Sequence, residues 1–177
     1  MKRIWLLAGV LAVLAGGLTA WAASGGGKLK VNTPGMVIEA AVRGRKVAIP
    51  PLREVPVGVG TIETQGIKLH AQGKDTKNRP TIWRLDGIKP FGELASIEVT
   101  ASETTLVEGG APLTVKTPAR LLTSGAKKVY VNLLIVGKAG ESYRTVVYMG
   151  RQRVPKPKVA FLDENGKVLH TGAFEYG

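Results

Sequence analysis

The residue types that most often carry catalysis are sparse and scattered in this chain of 177 residues. It has no cysteine, and its two histidines, His70 and His170, have no other histidine at metal-ligand spacing. A zinc site would therefore need distant carboxylates, and we interpret both histidines as surface or half-buried strand residues. We predict no metal site, no cofactor-binding site and no catalytic residue.

A nucleophilic serine also lacks its usual context. No serine follows the strand-turn-helix pattern of a nucleophile elbow. A Ser-His-Asp triad stays formally open, because it is recognised by geometry and not by order. The serines considered are Ser96, Ser102, Ser124 and Ser142.

A pair of carboxylates of the glycosidase kind stays open as well, because the separation of such a pair is spatial. The chain has only three aspartates, and its glutamates between residues 93 and 108 are spread at solvent-like positions. We therefore expect a protein that is not an enzyme, and a hydrolase with a carboxylate pair is the weaker alternative. The glutamates in question are Glu93, Glu98, Glu103 and Glu108.

Two glycine-containing segments resemble ligand loops only superficially. Asp163-Glu164-Asn165-Gly166 lacks the further oxygen ligands and the distal glutamate of a calcium loop, so it predicts a hairpin turn. Gly58-Val59-Gly60 lacks the third glycine and the following helix of a dinucleotide fingerprint.

The segment with most binding potential is Arg151-Gln152-Arg153-Val154-Pro155-Lys156-Pro157-Lys158, called here the basic segment. It carries four cations and no anion, and two prolines stiffen it. It is a candidate site for a polyanion, or else a solvated connector between two strands. Three tyrosines could line a carbohydrate surface, although we expect at least two of them in the core or at its rim: Tyr143, Tyr148 and Tyr176.

Short apolar runs separated by Gly, Pro and polar clusters predict an all-β fold with few helices after residue 27. Alternation or apolar character predicts strands, with Trp83 as an aromatic core anchor. Val129 to Val136 is apolar on both faces, which is typical of a central strand. The predicted strands are Met36 to Val42, Lys46 to Ile49, Thr61 to Ala71, Thr81 to Leu85, Leu94 to Ala101, Thr104 to Val107, Leu113 to Lys116, Val129 to Val136, Tyr143 to Met149, Val159 to Leu162 and Lys167 to Tyr176.

The first 23 residues determine which cellular compartment the sequence predicts for the chain. Lys2 and Arg3 precede about 20 uncharged residues, and Ala20-Trp21-Ala22 offers small residues for a signal peptidase. The alternative is an uncleaved membrane anchor, because about 20 helical residues span roughly 30 Å. Both interpretations place residues 24–177 outside the cytoplasm, in the periplasm or secreted.

The remaining chain divides by composition. Residues 24–27 read as a flexible linker, and Gly109-Gly110-Ala111-Pro112 is the predicted boundary between two β-sandwich units, 28–111 and 112–177. The alternative is that both stretches belong to one continuous sandwich. Without cysteine there is no disulfide and no lipobox, so burial alone must hold the fold.

A net charge of +12 indicates an anionic partner. For an exported chain, an envelope polymer or another envelope protein is a better candidate than nucleic acid. A generically basic protein remains the plain alternative. Membrane contact is expected only through residues 4–23, if they are retained.

Several blocks together resemble the prealbumin-like and carboxypeptidase-regulatory-like modules of secreted bacterial proteins. They are Val55-Pro56-Val57-Gly58, Trp83, Pro90-Phe91-Gly92 and Ile97-Glu98-Val99. The tail from Gly140-Glu141-Ser142-Tyr143 to Phe174-Glu175-Tyr176-Gly177 is similar to the ends of exported planctomycete-type proteins. The resemblance implies an immunoglobulin-like or prealbumin-like sandwich that acts as a scaffold or binding unit, and it carries over no catalytic residue.

Overall fold

The computed structural model describes residues 26–122 and 128–175. Apart from a short 3-10 helix at Gly92–Leu94, the regular elements of these residues are β-strands, so the all-β prediction is confirmed. The predicted export segment, residues 1–23, lies outside the described residues. No helix in the described part of the chain is long and apolar enough to cross a membrane.

The strands are short except for the long β5. In chain order they are β1 (Lys28–Val31), β2 (Met36–Val42), β3 (Arg45–Ile49), β4 (Glu54–Pro56), β5 (Gly60–Lys74), β6 (Pro80–Ile88), β7 (Ser96–Val99), β8 (Thr104–Val107), β9 (Thr114–Lys116), β10 (Ala119–Leu122), β11 (Lys128–Val131), β12 (Leu134–Val136), β13 (Ser142–Met149), β14 (Gln152–Arg153), β15 (Lys158–Leu162) and β16 (Val168–Ala173).

The main sheet has nine strands in the order β3-β2-β5-β6-β13-β12-β9, with β7 beside β5 and β14 beside β13. Its strands come from both sides of the segment 109–112, since β6 pairs with β13. A second sheet has the order β4-β1-β8, in which β1 and β8 are parallel. Two further pairs, β10 with β11 and β15 with β16, form separate two-stranded sheets.

The core lies where the first two sheets meet. In β2, buried and half-buried residues alternate from Met36 to Val42, because successive side chains of a strand point to opposite faces. Leu29 and Val31 of β1 belong to the same apolar cluster and are fully buried. The hydrophobic alternation of β2 therefore fixes which face of the main sheet is internal.

Two expectations about the core are wrong. The stretch 129–136 is not one central strand: it divides into β11, which pairs only with β10, and β12, which joins the main sheet. Asn132 and Leu133 separate the two strands, and the Asn132 N–H, which donates to the Pro118 carbonyl at 3.0 Å, extends the β10–β11 pairing by one residue. Trp83 is only half-buried, and Phe91 is the aromatic residue of this half that lies in the core.

The C-terminal hairpin is confirmed. Strands β15 and β16 pair antiparallel around Asp163–Gly166, and Gly166 has a φ of 81°, which favours glycine. The Asp163 carboxylate accepts hydrogen bonds from the backbone N–H groups of Asn165 and Lys167, both at 2.9 Å. The Asp163 carboxylate therefore stabilises a hairpin turn, which is the structure that the sequence predicts here.

Candidate functional site

The basic segment divides between two elements. Arg151 stands in the turn between β13 and β14, after Gly150, whose φ is 62°, and Arg153 lies on β14. Lys156 pairs with Glu175, and Lys158 begins β15. All four cations are exposed. Within residues 26–122 and 128–175 neither arginine forms an ion pair, so Arg151 and Arg153 present more uncompensated charge than Lys156 does.

Arg153 is the end of a row of side chains that crosses four strands of the main sheet. Strand register places His70 opposite Arg84, Arg84 opposite Tyr148, and Tyr148 opposite Arg153. Residues directly opposite in antiparallel strands point to the same face, and neighbouring strands lie about 4.8 Å apart. These four residues, called here the transverse row, therefore form a continuous band on the face opposite the core.

An arginine and a tyrosine are in direct contact at the centre of the transverse row. The guanidinium carbon of Arg84 lies 4.2 Å from the centroid of the Tyr148 ring, within the range of a cation–π interaction. Arg84 Nε is 3.2 Å from Asp86 Oδ1, an ion pair without hydrogen-bond geometry. Arg84 is thus oriented by a ring on one strand and a carboxylate on its own strand.

A second charged group borders the transverse row on the same face. Glu39 bridges Lys46 and Lys68, with 2.6 Å from a carboxylate oxygen to each ammonium nitrogen. Hydrogen bonds from Lys46 and Lys68 hold the pKa of the Glu39 carboxyl below its ordinary value. Lys68 also lies opposite Asp86 in the sheet register. With Arg84 included, three cations stand beside the two carboxylates of Glu39 and Asp86, so the local charge is positive.

The arginines give this face of the sheet hydrogen-bond donors of the kind that anions accept. The planar guanidinium of arginine matches the oxygens of a carboxylate, sulfate or phosphate with two parallel N–H donors. Arg84 and Arg153 are separated by one intervening strand, so their backbones lie about 10 Å apart. Two cations at that spacing, with the Tyr148 ring between them, suit a ligand that repeats its negative charge.

The glutamates that look scattered in sequence partly converge. Glu93, Glu98 and Glu108 line one open cleft of about 250 Å³ beside β7 and β8. Glu98 accepts a hydrogen bond from the Thr61 hydroxyl, and Glu108 binds Lys138 and Asn32. The pKa of the Glu108 carboxyl lies below its ordinary value, mainly because Lys138 donates a hydrogen bond to it. A carboxyl held ionised in this way is poorly suited to donate a proton.

Sequence reasoning missed Glu141, a fully buried carboxylate. It accepts hydrogen bonds from the backbone N–H of Gly110, from the N–H of Ala139 at 2.9 Å and from the Tyr143 hydroxyl at 2.9 Å. These donors come from two loops and from β13. The only signal in the sequence is a glutamate directly after the glycine-bounded turn 137–140, and nothing there predicts burial.

Close packing leaves no room beside the Glu141 carboxylate. A Cβ at Gly137 would lie 2.1 Å from Glu141 Oε1, and a Cβ at Gly109 would lie 3.0 Å from the same oxygen. Burial raises the pKa of the Tyr143 hydroxyl above its ordinary value. The negative charge of Glu141 and the hydrogen bond that Tyr143 donates to it raise this pKa further. The cluster therefore fastens loops together and is not a substrate site.

A groove of about 620 Å³ lies between the β15–β16 hairpin and strands β11 and β12. Its lining is mostly aliphatic and aromatic, including Phe161 and Phe174. The carboxylate in the lining, Glu175, is the partner of Lys156. The groove is also lined by the hydroxyl groups of Tyr130 and Thr145, but no histidine stands among its described lining residues to activate them.

The remaining sequence candidates do not assemble into a catalytic group. His70 belongs to the transverse row, whereas His170 is on the exposed strand β16 with its ring 6.2 Å from that of Phe161. In the part of the chain that the structure describes, no three His, Cys, Asp or Glu side chains gather to hold a metal ion. Tyr143 is buried and Tyr148 half-buried, as expected, and Ser124 and Tyr176 lie outside the described residues.

No protein-family model, no curated protein and no solved structure matches this chain.

Proposed function

We propose that this chain is an exported, non-enzymatic interaction module of the cell envelope, with an immunoglobulin-like or prealbumin-like arrangement of its sheets. The charged, apolar and small-residue order of residues 1–23 supports export. Its place is the periplasm or the exterior, or the membrane surface if residues 4–23 are retained. The intact mass of the protein recovered from its host distinguishes a cleaved signal from an anchor.

The ligand class that fits best is an anionic glycan or another anionic envelope polymer. The observation that carries this proposal is the transverse row, which aligns Arg84 and Arg153 around Tyr148 and ends beside Arg151. The guanidinium groups of Arg84, which stacks on Tyr148, and of Arg153 supply N–H donors for the acidic substituents of such a polymer. Another envelope protein with an acidic surface is the alternative partner.

The distribution of charge supports the same ligand class. Residues 112–177 contain eleven Lys and Arg against four Asp and Glu, whereas residues 28–111 contain twelve against nine. One of the four acids, Glu141, is buried. The excess charge is therefore concentrated on the half that carries the basic segment, and such a field raises the rate of encounter with polyanions.

Retention on a column of immobilised sulfated polysaccharide tests this proposal. We expect salt-dependent retention that falls when Arg151, Arg153, Lys156 and Lys158 are all changed to Gln, because each substitution removes a positive charge. Two double variants separate position from net charge: R151Q/R153Q and K156Q/K158Q each remove two charges. The first should elute at lower salt than the second, because it removes the charges beside the transverse row and Lys156 already pairs with Glu175.

Three outcomes would contradict the proposal. If the fourfold variant elutes with the wild type, the basic segment does not bind the polymer. If the two double variants elute together, net charge and not the transverse row determines retention. Turnover by the purified protein in a broad hydrolase screen would instead favour the carboxylate-pair alternative, for which the cleft of Glu93, Glu98 and Glu108 is the place to look.

A further inference from the structure

The groove beside the β15–β16 hairpin has the size and one wall of a small-molecule site. Its volume, about 620 Å³, falls within the roughly 300–1,000 Å³ of pockets that bind small ligands. Val159 and Phe161 of β15 line the groove and are half-buried, whereas Ala160 between them is exposed. Alternate residues of a strand point to opposite faces, so the hairpin turns one defined face towards the groove.

The opposite wall of the groove is also apolar. It comes from β11 and β12, whose residues Val129 and Leu134 line the groove and are 53% and 44% exposed. The fold therefore leaves apolar surface uncovered on this side, which a hydrocarbon chain can cover. The polar side chains among the described lining residues are those of Tyr130, Asn132, Thr145 and Glu175.

The edge of the groove is positively charged. Lys116 lies directly opposite Leu134 in the antiparallel pairing of β9 with β12, so the two side chains share a face. The guanidinium carbon of Arg120 lies 6.0 Å from the centroid of the Tyr130 ring. Both cations are exposed, and neither forms an ion pair with a described residue. The acid of the lining, Glu175, is already paired with Lys156.

We propose that this groove binds a fatty acid, with the hydrocarbon chain between the apolar walls and the carboxylate beside Lys116 and Arg120. Each methylene that leaves water against the walls adds affinity. The arginine offers two parallel N–H donors to the carboxylate, and the lysine adds a point charge. A neutral chain would use the walls alone and a small hydrophilic anion the cations alone, whereas a fatty acid uses both. The proposal does not depend on polymer binding.

Displacement of a fluorescent fatty acid from the full-length protein measures this binding. We expect dodecanoate to compete, and each methylene added between octanoate and dodecanoate to raise the affinity by up to about fourfold. Dodecanol has the same chain without the charge and should bind more weakly than dodecanoate. Changing Lys116 and Arg120 together to Gln should remove that difference. The matched control changes Lys74 and Lys77, two exposed cations outside the groove, to Gln and should preserve it.

A second pair of variants tests the wall of the groove. Val159→Asp and Ala160→Asp each add one negative charge to β15, outside the described core cluster, so both should unfold at the wild-type urea midpoint. Only Val159→Asp places the charge against the hydrocarbon chain, and it should weaken dodecanoate binding by more than about tenfold. Equal affinities of the two variants, which binding to residues 4–23 would produce, would overturn the proposal. So would a failure of dodecanoate to compete, or equal affinities of the wild type for dodecanol and dodecanoate.

Discussion

At the scale of single residues, the most constrained group is the buried carboxylate of Glu141. A buried charge is costly unless hydrogen bonds replace its water. Here Glu141 Oε1 accepts from Gly110 and Tyr143, and Oε2 accepts from Ala139. These contacts join residues 110 and 139, which are remote in sequence, so the carboxylate closes the end of the fold near the segment 109–112.

We expect Glu141→Gln to destabilise the folded chain by about 1–3 kcal/mol. An amide has one oxygen and one NH₂ group, so either orientation turns N–H donors towards the N–H of Gly110 or towards that of Ala139. At least one buried donor then loses its acceptor. The measurement is the free energy of unfolding from urea titration. Glu164→Gln, at an exposed turn position, is the control and should change stability by no more than about 0.5 kcal/mol. Equal midpoints for Glu141→Gln and wild type would show that the carboxylate is not structural.

The raised pKa of Tyr143 predicts a loss of stability in alkali. The unfolded chain ionises its tyrosines near pH 10, whereas burial beside Glu141 keeps the Tyr143 hydroxyl protonated in the folded chain. The stabilisation is fully present below about pH 10 and is lost as the pH rises further, by up to about 1.4 kcal/mol per pH unit. Urea titrations from pH 8 to 11 should show a steeper decline for wild type than for Tyr143→Phe. Parallel curves would contradict this prediction.

At the scale of strands, local sequence predicts an element well where burial alternates. Strand β2 has the predicted bounds, because Met36, Ile38, Ala40 and Val42 alternate with half-buried residues along one core face. The turn at Asn165-Gly166 is also predicted correctly from the sequence, since its backbone geometry depends on neighbouring residues. In both cases the interactions that determine the structure lie within a few residues.

Prediction failed where partners distant in sequence decide the structure. Apolar residues on both faces of 129–136 indicate a central strand, but β10 pairs with β11, whereas β9 and β13 pair with β12. The transverse row could not be predicted from the sequence for the same reason, because only the strand register brings His70, Arg84 and Tyr148 side by side. Sequence identifies the basic segment, whereas register shows that Arg153 is the member of it that lies opposite an aromatic residue, Tyr148.

At the scale of the whole molecule, the positive charge is concentrated in one half of the chain, whereas strand pairing joins both halves. The positive excess belongs to residues 112–177, which contain the basic segment. The main sheet, in contrast, combines β2, β5 and β6 with β12 and β13 from the other half. The surface that we propose for polymer binding therefore needs both halves, because His70 and Arg84 come from one and Tyr148 and Arg153 from the other.

Separating the chain at the predicted boundary tests whether 28–111 and 112–177 are independent units. We expect neither piece to unfold cooperatively alone. Without β13, strand β6 keeps β5 but loses its partner on the other side between Trp83 and Ile88, and Gly110 loses the carboxylate that accepts its N–H. Burial alone must hold a fold without disulfides, so a piece lacking one side of its sheet lacks the means to compensate. Circular dichroism during urea titration of each piece, and of the two mixed, is the measurement. A steep transition in residues 28–111 alone would show that this half is autonomous, whereas a transition that appears only on mixing would show one sheet completed by both halves.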